Sequence, residues 1–594
     1  MVKRVADIIM DTLVENGITD CFAVVGGGAM HLDNALLVCK KMHKIFNHHE
    51  QACAMAADAY ARYSGRPAAV CVTSGPGSTN TLTGVMGAWQ DSLPMIVISG
   101  QVRYAISVPK SGLKLRYRGI QEFNIVPTAK TMTKYAVMLT DPLAVKRELV
   151  KAINISMSGR RGPVWIDVPQ DIQNARVEED ELYPVAEQVD IPSASEEELE
   201  ETLYILRHAK RPCILGGSGI ISSDNRERFF SFVEKVGVPV IGGSWVADNM
   251  YTDHPLYFGN AGNVGPRCGN FILQNADVIF TLGNSLGFRQ TGFNQDGFAP
   301  KAKIIMLDVD EDESKKPGLH IFKFIHSDLT AFFDLAENTD CAVDPPKDWI
   351  AYCNMLKDRF SPFEAVDHMD MDDRVCSYYF WRVFQKYEED DSIVALGNNT
   401  ANSAKLQIGV KKKNQRTLTN YTCGSMGYDL PAAIGAAVAS GKKVYCVTGD
   451  GSIMMNLQEL QTIVQNDFPI SIVVFSNDGY GAIRQTSKNF FNGAYIGCTP
   501  DTGVSFPDFS KVADTFGFGY RKCSSNVELD DSVKWLVNSS NRVILEIEQK
   551  FDDPVTPKVM SRLDENGNML TPALQDMYPF LPESELKELM ISEN

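Results

Sequence analysis

Two neighbouring stretches decide the fold: KKVYCVTGDGS at residues 442–452 and ISIVVFSNDG at residues 470–479. Each is a short apolar run, rich in β-branched residues, that ends in glycine or polar residues, as strands buried in parallel sheets do. The pair therefore predicts two strands of one parallel βαβ unit. Because such strands end at the same edge of a sheet, we expect Asp450 and Asn477 to face one site.

The residues at these two strand ends have the chemistry of a magnesium–diphosphate site. A divalent cation that anchors a diphosphate needs oxygen ligands, and the motif offers the carboxylate of Asp450, the amide oxygen of Asn477 and the backbone carbonyl of Gly479. Gly451 and Ser452 let backbone amides approach the phosphates. A lone GDG is more often a turn than a site, but the strand context and the downstream asparagine favour the site.

The same alternation of strand-like and helix-like segments occurs in three blocks, which predicts an α/β fold with three doubly wound parallel-sheet domains. We predict domains at residues 1–185, 190–345 and 365–552, followed by a carboxyl-terminal tail at 553–594. The strand-like runs outside the opening pair are AAVCVTSG (68–75), MIVISG (95–100), VWIDVP (164–169), RPCILGGSG (211–219), VPVIGGS (238–244), VIFTLGN (278–284), KIIMLDVD (303–310), SIVALGN (392–398) and RVILEIEQ (542–549).

Composition excludes several classes of function. The chain has 594 residues, a net charge of −17 and a pI near 5.1, so nucleic acid and anionic membranes would be repelled at long range. No apolar run approaches the roughly 20 residues of a membrane span. The thirteen cysteines include no C-x-x-C pair, and the amino terminus has no targeting pattern. We therefore expect a cytoplasmic enzyme that binds neither nucleic acid nor membrane.

Longer motifs now identify a family resemblance. HHEQACAMAADAYAR (48–62), VTSGPGSTNTLTGV (72–85) and GSMGYDLPAAIGAA (424–437), together with GDG and its downstream asparagine, resemble the thiamine-diphosphate enzymes. Within that superfamily the chain is similar to the large catalytic subunit of acetolactate (acetohydroxyacid) synthase, up to about residue 550. The resemblance implies thiamine diphosphate and Mg²⁺ as cofactors, with Asp450, Asn477 and Gly479 as the metal ligands.

The resemblance also assigns site residues, each weighed against an ordinary structural role. Glu50 corresponds to the catalytic glutamate that bonds the aminopyrimidine, although alone it could be a helix N-terminal charge. Gln121, in GIQEF, corresponds to the active-site glutamine, although alone it is an exposed loop residue. Met426 would wedge between the cofactor's rings, although methionine is ordinarily core filler. The remaining cofactor-binding positions are Gly27, Gly28, Asn80, Gly397, Asn398, Asn399, Gly424, Gly451 and Ser452.

The middle block resembles the FAD-binding domain of acetolactate synthases. A glycine-rich turn after one strand and an acidic residue at a later strand end make a sensible dinucleotide site, with amides for the pyrophosphate and a carboxylate for the ribose. We therefore expect FAD, although Ser285 stands where the family has an arginine. The matching positions are Gly216, Gly217, Gly219, Gly262, Arg289 and Asp308, with Arg147 added from the first block.

The resemblance implies decarboxylation of a 2-keto acid, pyruvate first, and carboligation of the acyl carbanion to a carbonyl acceptor. Three departures leave the acceptor open: Thr486 replaces the family's tryptophan, Gln170 replaces its lysine, and the ending at 557–582 differs from the family's lid. Acetyl transfer to a nucleotide-linked 4-keto-deoxysugar is one alternative. A flavin pyruvate oxidase is another, and a non-catalytic cofactor-binding protein is a third that the presence of Glu50, Asp450 and Asn477 disfavours.

The family's site forms between two chains, so the resemblance implies a homodimer or homotetramer. A regulatory subunit remains open as a further partner.

Overall fold

The computed structural model describes residues 1–185, 190–244, 246–366, 369–420, 422–553, 555–563 and 569–592. Three six-stranded sheets form its framework, and every strand pair within them is parallel. Helices cover both faces, because strands buried on both sides are apolar throughout. The α/β prediction is confirmed. The sheets fall inside the predicted domains, whose boundaries stay predictions; residues 186–189 of the first predicted linker lie outside the described residues.

The first sheet has the order β3-β2-β4-β5-β7-β6. The first and last strands of this unit along the chain, β1 and β8, form a separate antiparallel pair. Its strands are β1 Val2–Arg4, β2 Asp20–Ala23, β3 His43–Phe46, β4 Ala69–Val72, β5 Met95–Gln101, β6 Tyr135–Met138, β7 Pro163–Pro169 and β8 Arg176–Glu178. Its helices are α1 Val5–Glu15, α2 Met30–Val38, α3 Glu50–Ser64, α4 Pro76–Asn80, α5 Leu82–Gln90, α6 Val108–Ser111, α7 Val126–Ala129, α8 Val145–Met157 and α9 Gln170–Asn174.

The second sheet has the order β11-β10-β9-β12-β13-β14. Its strands are β9 Pro212–Gly216, β10 Val240–Gly242, β11 Tyr257–Asn260, β12 Val278–Leu282, β13 Lys303–Asp308 and β14 Ile321–His326. Its helices are α10 Glu196–Arg207, α11 Gly219–Ser222, α12 Arg226–Val236, α13 Arg267–Asn275, α14 Phe288–Thr291, α15 Leu329–Glu337 and α16 Lys347–Arg359. Helix α16 belongs to this unit, because the Trp349 indole is buried and donates to the Pro212 carbonyl.

The third sheet has the order β16-β15-β17-β18-β20-β19. Its strands are β15 Ile393–Leu396, β16 Arg416–Leu418, β17 Val444–Gly449, β18 Ile470–Ser476, β19 Gly519–Cys523 and β20 Val543–Glu548. Its helices are α17 Ser377–Tyr387, α18 Thr400–Ile408, α19 Asp429–Ser440, α20 Asp450–Ile453, α21 Glu459–Gln465, α22 Gly481–Phe490, α23 Phe509–Phe516 and α24 Leu529–Asn538.

Helices α3 and α19 join the first and third units at very close range. A Cβ atom on Gly435 of α19 would lie 2.0 Å from the Ala56 carbonyl of α3, so the small residues of both helices are what let them meet. The Tyr428 hydroxyl donates to the buried Asp58 carboxylate across the same contact. This packing fixes the start of α19, which follows the Gly424–Met426 segment, relative to the first unit.

One arginine connects all three units. Arg416, on the edge strand β16, donates to the buried Asp248 carboxylate at 2.7 Å and to the backbone carbonyls of Tyr63 and Arg62. Its planar guanidinium presents donors to all three acceptors at once. The junction holds a cleft between the units, described below.

The tail packs on the second unit. It contains β21 Arg562–Leu563, β22 Met569–Leu570 and α25 Glu583–Glu588, and it buries Leu574, Met577 and Leu589. The Asn270 and Arg267 side chains of α13 donate to tail carbonyls, so its backbone is anchored by polar groups as well as by apolar contact. Within the described ranges, no helix has both the length and the apolar character of a membrane span.

Candidate active site

Asp450 stands at the carboxyl end of β17 and begins α20. Because β17 and β18 are neighbours, its carboxylate reaches the next strand's end and accepts N–H bonds from Asn477 at 2.9 Å and Gly479 at 3.3 Å. It also accepts from the Gly451 N–H at 2.8 Å. Burial raises the pKa of Asp450 to about 6, and the three N–H donors oppose that shift. The predicted proximity of Asp450 and Asn477 is therefore found.

The side-chain amide of Asn477 is hydrogen-bonded through its nitrogen but not through its oxygen. Its Nδ2 donates to Gln549 Oε1 at 3.0 Å, whereas its Oδ1 is buried without a hydrogen-bond partner. A buried oxygen left unpaired costs free energy, and a bound cation is one group that would satisfy it. The residues present thus fit a magnesium ion. Among the described residues no three His, Cys, Asp or Glu side chains form a metal cluster, so amide and carbonyl oxygens are the other donors.

The loop around the metal residues has little room for side chains. A Cβ atom on Gly451 would lie 2.3 Å from the Tyr480 ring, and one on Gly479, whose φ is +148°, would lie 2.0 Å from the Cys498 carbonyl. Ser452 Oγ donates to the buried Asp429 carboxylate at 2.5 Å and accepts the Gly427 N–H. Glycine at these positions keeps the backbone accessible at close range.

A second loop borders the same region. The Asn398 side chain donates to the Gly424 carbonyl at 2.7 Å, and Asn399 caps the N-terminus of α18. A Cβ atom on Gly397 would lie 2.4 Å from the Asp429 carboxylate, while Gly424 has a φ of +60°. Asn398 therefore braces the backbone of the Gly424 turn, and Asn399 holds the start of the neighbouring helix.

Met426 lies next to the metal loop. Its Cε is 3.4 Å from where a Cβ atom on Gly451 would stand, and its side chain is partly exposed rather than part of the core. A methionine outside the core is available to contact a ligand.

Glu50 is the first residue of α3 and belongs to a second group of predicted site residues, which lies in the first unit. Its Oε2 accepts from Asn80 Nδ2 at 2.9 Å. A Cβ atom on Gly77 would lie 3.4 Å from Glu50 Oε1 and 2.6 Å from Thr73. The glutamate is half-buried, so its carboxylate is held by one amide and remains accessible.

The glycine turn at residues 26–28 lies against the same threonine. The Gly28 N–H donates to Thr73 Oγ1 at 2.9 Å, and a Cβ atom on Gly26 would lie 2.6 Å from Thr73 Cβ. The Gly26 N–H donates to Asp33, a bond that proline at this position could not make. Gln170, which replaces the family's lysine, donates to the Gly27 carbonyl at 2.6 Å. The replacement thus braces the turn instead of presenting a charge.

Gln121 joins this group through its backbone. It has a φ of +59°, and its carbonyl lies 2.4 Å from where a Cβ atom on Gly75 would stand. Its side chain is exposed. Thr486 is also exposed, on α22 of the third unit, where its hydroxyl donates back to the Ala482 carbonyl.

Near Glu50, hydrogen bonds run from Asn47 to Glu459 and from Asn456 to Gln51, across the contact between the first and third units. Among the described residues, no hydrogen bond joins Glu50 to the Asp450 loop. The sequence predicted the members of each group, and the fold places one group in the first unit and the other in the third.

Comparisons with known proteins match most of the chain. Models of thiamine pyrophosphate enzymes match three parts of the chain: the N-terminal TPP binding domain at residues 3–122, the central domain at 199–331 and the C-terminal TPP binding domain at 395–547. The acetolactate synthase large subunit of Corynebacterium glutamicum is 30% identical over 86% of this chain and 81% of its own length.

The chain belongs to the thiamine pyrophosphate enzyme family.

Other relatives in this family carry the same kind of name. The acetolactate synthase isozyme 1 large subunit of Escherichia coli (strain K12) is 29% identical over 93% of this chain and 95% of its own. The chloroplastic acetolactate synthase 2 of Zea mays is 28% identical over 94% of this chain and 87% of its own. The relatives support neither the sugar-acceptor alternative nor the oxidase alternative.

A cleft lies where the central domain of this family member meets the other two. It consists of two adjoining cavities of about 320 and 220 Å³, which share Asp91, Ser218, Ser222 and Ser285 in their walls. The Thr417 hydroxyl, in the wall of the larger cavity, is buried without a partner. The cleft therefore has polar groups still able to bind a ligand.

Some of the residues predicted for FAD line this cleft. Gly217 and Arg289 border the larger cavity, and Gly219 and Asp308 border the smaller. Burial raises the pKa of Asp308 to about 6. Gly216 and Gly262 lie behind the walls: the Gly216 carbonyl accepts from Gly243 N–H, and a Cβ atom on Gly262 would lie 2.4 Å from the Arg289 carbonyl.

Arg147 is not brought to the cleft. It lies on α8, pairs with the neighbouring Glu148 and stacks over the Tyr183 ring. Arg160 and Arg161, which the sequence reasoning missed, line the smaller cavity instead. Arg161 donates to the carbonyls of Gly65 and Ser222, thereby linking the first unit to the central domain. The doubled arginine before GPVWIDVP was the available signal.

The metal loop contains another residue that sequence reasoning missed. Arg484, in IRQTS, is 1% exposed and donates through Nη2 to the Asn477 carbonyl at 3.0 Å. A lone arginine on a helix gives no sequence signal of burial, because arginine is mostly exposed.

Proposed function

We propose that this chain decarboxylates a 2-keto acid, with pyruvate as the first candidate, and ligates the acyl unit to a carbonyl acceptor in an acetolactate synthase-like reaction. The observation that carries the proposal is the buried, unpartnered Asn477 Oδ1 beside the Asp450 carboxylate at two adjacent strand ends. That arrangement suits a magnesium-anchored diphosphate better than a structural turn, because a turn has no use for an unpaired amide oxygen.

The residues that would hold the cofactor come from the third unit. Asp450, Asn477 Oδ1 and the Gly479 carbonyl would bind Mg²⁺, and Gly451, Ser452 and Asn399 border the space for the diphosphate. Gly397, Asn398 and Gly424 would shape the opposite wall, with Met426 against the rings. When bound, thiamine diphosphate supplies the electron sink for decarboxylation, while the protein supplies position.

Glu50 would hold and move a proton at its carboxylate. Asn80 donates to Oε2, which leaves Oε1 for the cofactor's aminopyrimidine. Gly27, Gly28 and Gln121 would line the space beside the reacting carbon. The brace from Gln170 to Gly27 makes the shape of this turn, rather than a lysine charge, the feature that selects the acceptor.

We also propose that the cleft between the units holds FAD. Its two cavities suit an elongated ligand, with glycine backbone at Gly217 and Gly219 and a carboxylate at Asp308. Arg160 and Arg161 take the place proposed for Arg147. A purified protein that shows flavin absorbance, lost in an Asp308→Leu variant but kept in Arg147→Gln, would support this site.

The active form would be at least a homodimer, because the resemblance to acetolactate synthases implies a site shared between two chains, and among the described residues no hydrogen bond joins Glu50 to the Asp450 loop. The name "large subunit" that two relatives carry supports a regulatory subunit as a further partner. Eleven of the thirteen cysteines are buried, and all are free thiols rather than disulfides. Cysteines used in this way, as small apolar residues, support a cytoplasmic location.

Proton NMR of the purified protein with pyruvate, thiamine diphosphate and Mg²⁺ tests the function. We expect acetolactate and release of carbon dioxide, both abolished by a chelator that removes the metal. The proposal would be contradicted if pyruvate is not consumed, both when it is the only substrate and when other 2-keto acids or aldehydes are added. Consumption with reduction of bound flavin and no carbon–carbon bond formation would instead indicate an oxidase.

A further inference from the structure

We propose that Arg484 is a positioning residue that supplies a fixed positive charge to the metal–diphosphate site. This inference rests on the proposed function. Arg484 lies on α22, one turn after the metal loop, and its Nη2 donates both to the Asn477 carbonyl and to the Phe551 carbonyl at 3.0 Å. The guanidinium carbon lies 3.8 Å from the centre of the Phe551 ring. The head group is therefore fixed between the metal loop and the end of β20.

The hydrogen bonds do not account for its burial. Arg484 Nε and Nη1 are buried without a partner, and the side chain is 1% exposed. A buried charge with unmet donors destabilises a fold, and replacing it with an apolar side chain is often neutral or stabilising. One nitrogen, Nη2, makes both bonds to the backbone carbonyls, so these bonds alone do not explain why a whole guanidinium is buried here. The remaining property of the group is its charge.

The charge lies at the metal loop itself. Arg484 Nη1 is 2.8 Å from where a Cβ atom on Gly479 would stand, and Asp450 is the largest source of favourable Coulomb interaction with the guanidinium. The exposed charges near the loop form pairs at the surface, Arg374 with Asp478 and Lys488 with Asp552. Exposed pairs of this kind are screened by solvent, whereas the buried guanidinium is not.

The sign of the charge leads to two opposite effects. A diphosphate, one Mg²⁺ and the Asp450 carboxylate together are net negative, so a fixed positive charge stabilises the complete assembly. The same charge repels a divalent cation that enters the site alone. Arg484 would therefore weaken binding of the metal by itself and strengthen binding of the metal with a diphosphate. A residue that only braced the loop would strengthen both.

Binding titrations of the metal-free protein separate these roles without any turnover. The probes are Mn²⁺ alone, followed by its electron paramagnetic resonance signal, and inorganic pyrophosphate with saturating Mg²⁺, followed by calorimetry. For Arg484→Gln we expect tighter Mn²⁺ binding and about tenfold weaker pyrophosphate binding. The tenfold change corresponds to a loss of about 1.4 kcal/mol of binding free energy when the one positive charge is removed. Arg484→Lys loses the planar contact with Phe551 but keeps the positive charge, so both affinities should stay within about threefold of the wild type.

Arg374→Gln is the matched control, because it removes an exposed positive charge that pairs with Asp478 of the metal loop, and it should change neither affinity. Parallel weakening of both probes in Arg484→Gln, or unchanged binding of both, would overturn the inference. If Arg484→Gln does not fold, loss of pyrophosphate binding in folded Arg484→Lys would overturn it too. A wild-type protein that binds neither probe would instead contradict the proposed function.

Discussion

The amide nitrogen of Asn477 donates to Gln549 Oε1 at 3.0 Å, and this bond decides that the opposite end of the amide, Oδ1, is the one left without a partner. Gln549 is itself fixed, because its Nε2 donates to Thr400 Oγ1 and to the buried Asp553 carboxylate. An outer set of hydrogen bonds thus orients the oxygen that we assign to the metal. Such outer partners orient the ligands of metal sites and contribute to metal affinity.

Removing that orientation should weaken the cofactor site. We expect Gln549→Met to reduce the affinity for Mg²⁺ with thiamine diphosphate by about 10- to 100-fold, because the Asn477 amide loses the acceptor that fixes it. Calorimetric titration of the metal-free protein measures the change. Gln461→Met, an exposed substitution on α21, is the control and should bind as the wild type does. Equal affinities for the two variants would refute this orienting role.

Glu50→Gln should separate chemistry from binding. The amide keeps the shape of the side chain and its place beside Asn80 but cannot exchange a proton, so we expect kcat to fall by about 10² to 10⁴ while thiamine diphosphate still binds. Steady-state rates and calorimetry on the same preparation give both values. A variant with undiminished kcat would sink the proposed proton role, whereas loss of binding alone would make Glu50 a structural residue.

Two inactive variants should restore activity together if the site forms between chains. Co-expressed Glu50→Gln and Asp450→Ala chains would form mixed dimers in which one of two sites has both intact groups. Random assortment then gives about a quarter of wild-type activity, from half the dimers and half their sites. Separately expressed variants, mixed after purification without subunit exchange, are the control. Recovery no greater than in that control would place the complete site within one chain.

Asp167 should make the stability of the first unit depend on pH. It is fully buried on β7, where Ser99 and Gln101 donate to it, and burial raises its pKa to about 7. Its ordinary value is 3.8, so the folded state binds the extra proton between these two values. The unfolding free energy should therefore fall as pH rises from about 4 to about 7, by up to about 4 kcal/mol.

Denaturant titrations at several pH values measure this dependence. Asp167→Asn removes the titrating group while keeping a side chain that can bond Ser99, so its unfolding free energy should vary less over the same range. Asp141→Asn, at a half-buried loop position in the same unit, serves as the control. A wild-type slope no steeper than that of Asp167→Asn would show that the carboxyl stays ionised when buried.

The inner strands of all three sheets could be predicted, apart from β2, because strands buried on both faces are continuous apolar runs such as MIVISG and ISIVVFS. The edge strands were missed. HKIF in β3 and GYRKC in β19 expose one face to solvent, so their polar residues hide the pattern. The glycine-rich ends of these strands were predictable too, because each apolar run stops where the chain turns.

The sequence by itself determined the α/β class, the inner strands and the pairing of Asp450 with Asn477, because these follow from local patterns and from the rule that parallel strands end at one edge. Only the tertiary structure decided that the side-chain oxygen of Asn477 is unpaired, that Arg484 is buried beside it, and that Arg160 and Arg161 rather than Arg147 reach the cleft. Each of these depends on contacts between residues far apart in the chain, which no local pattern records.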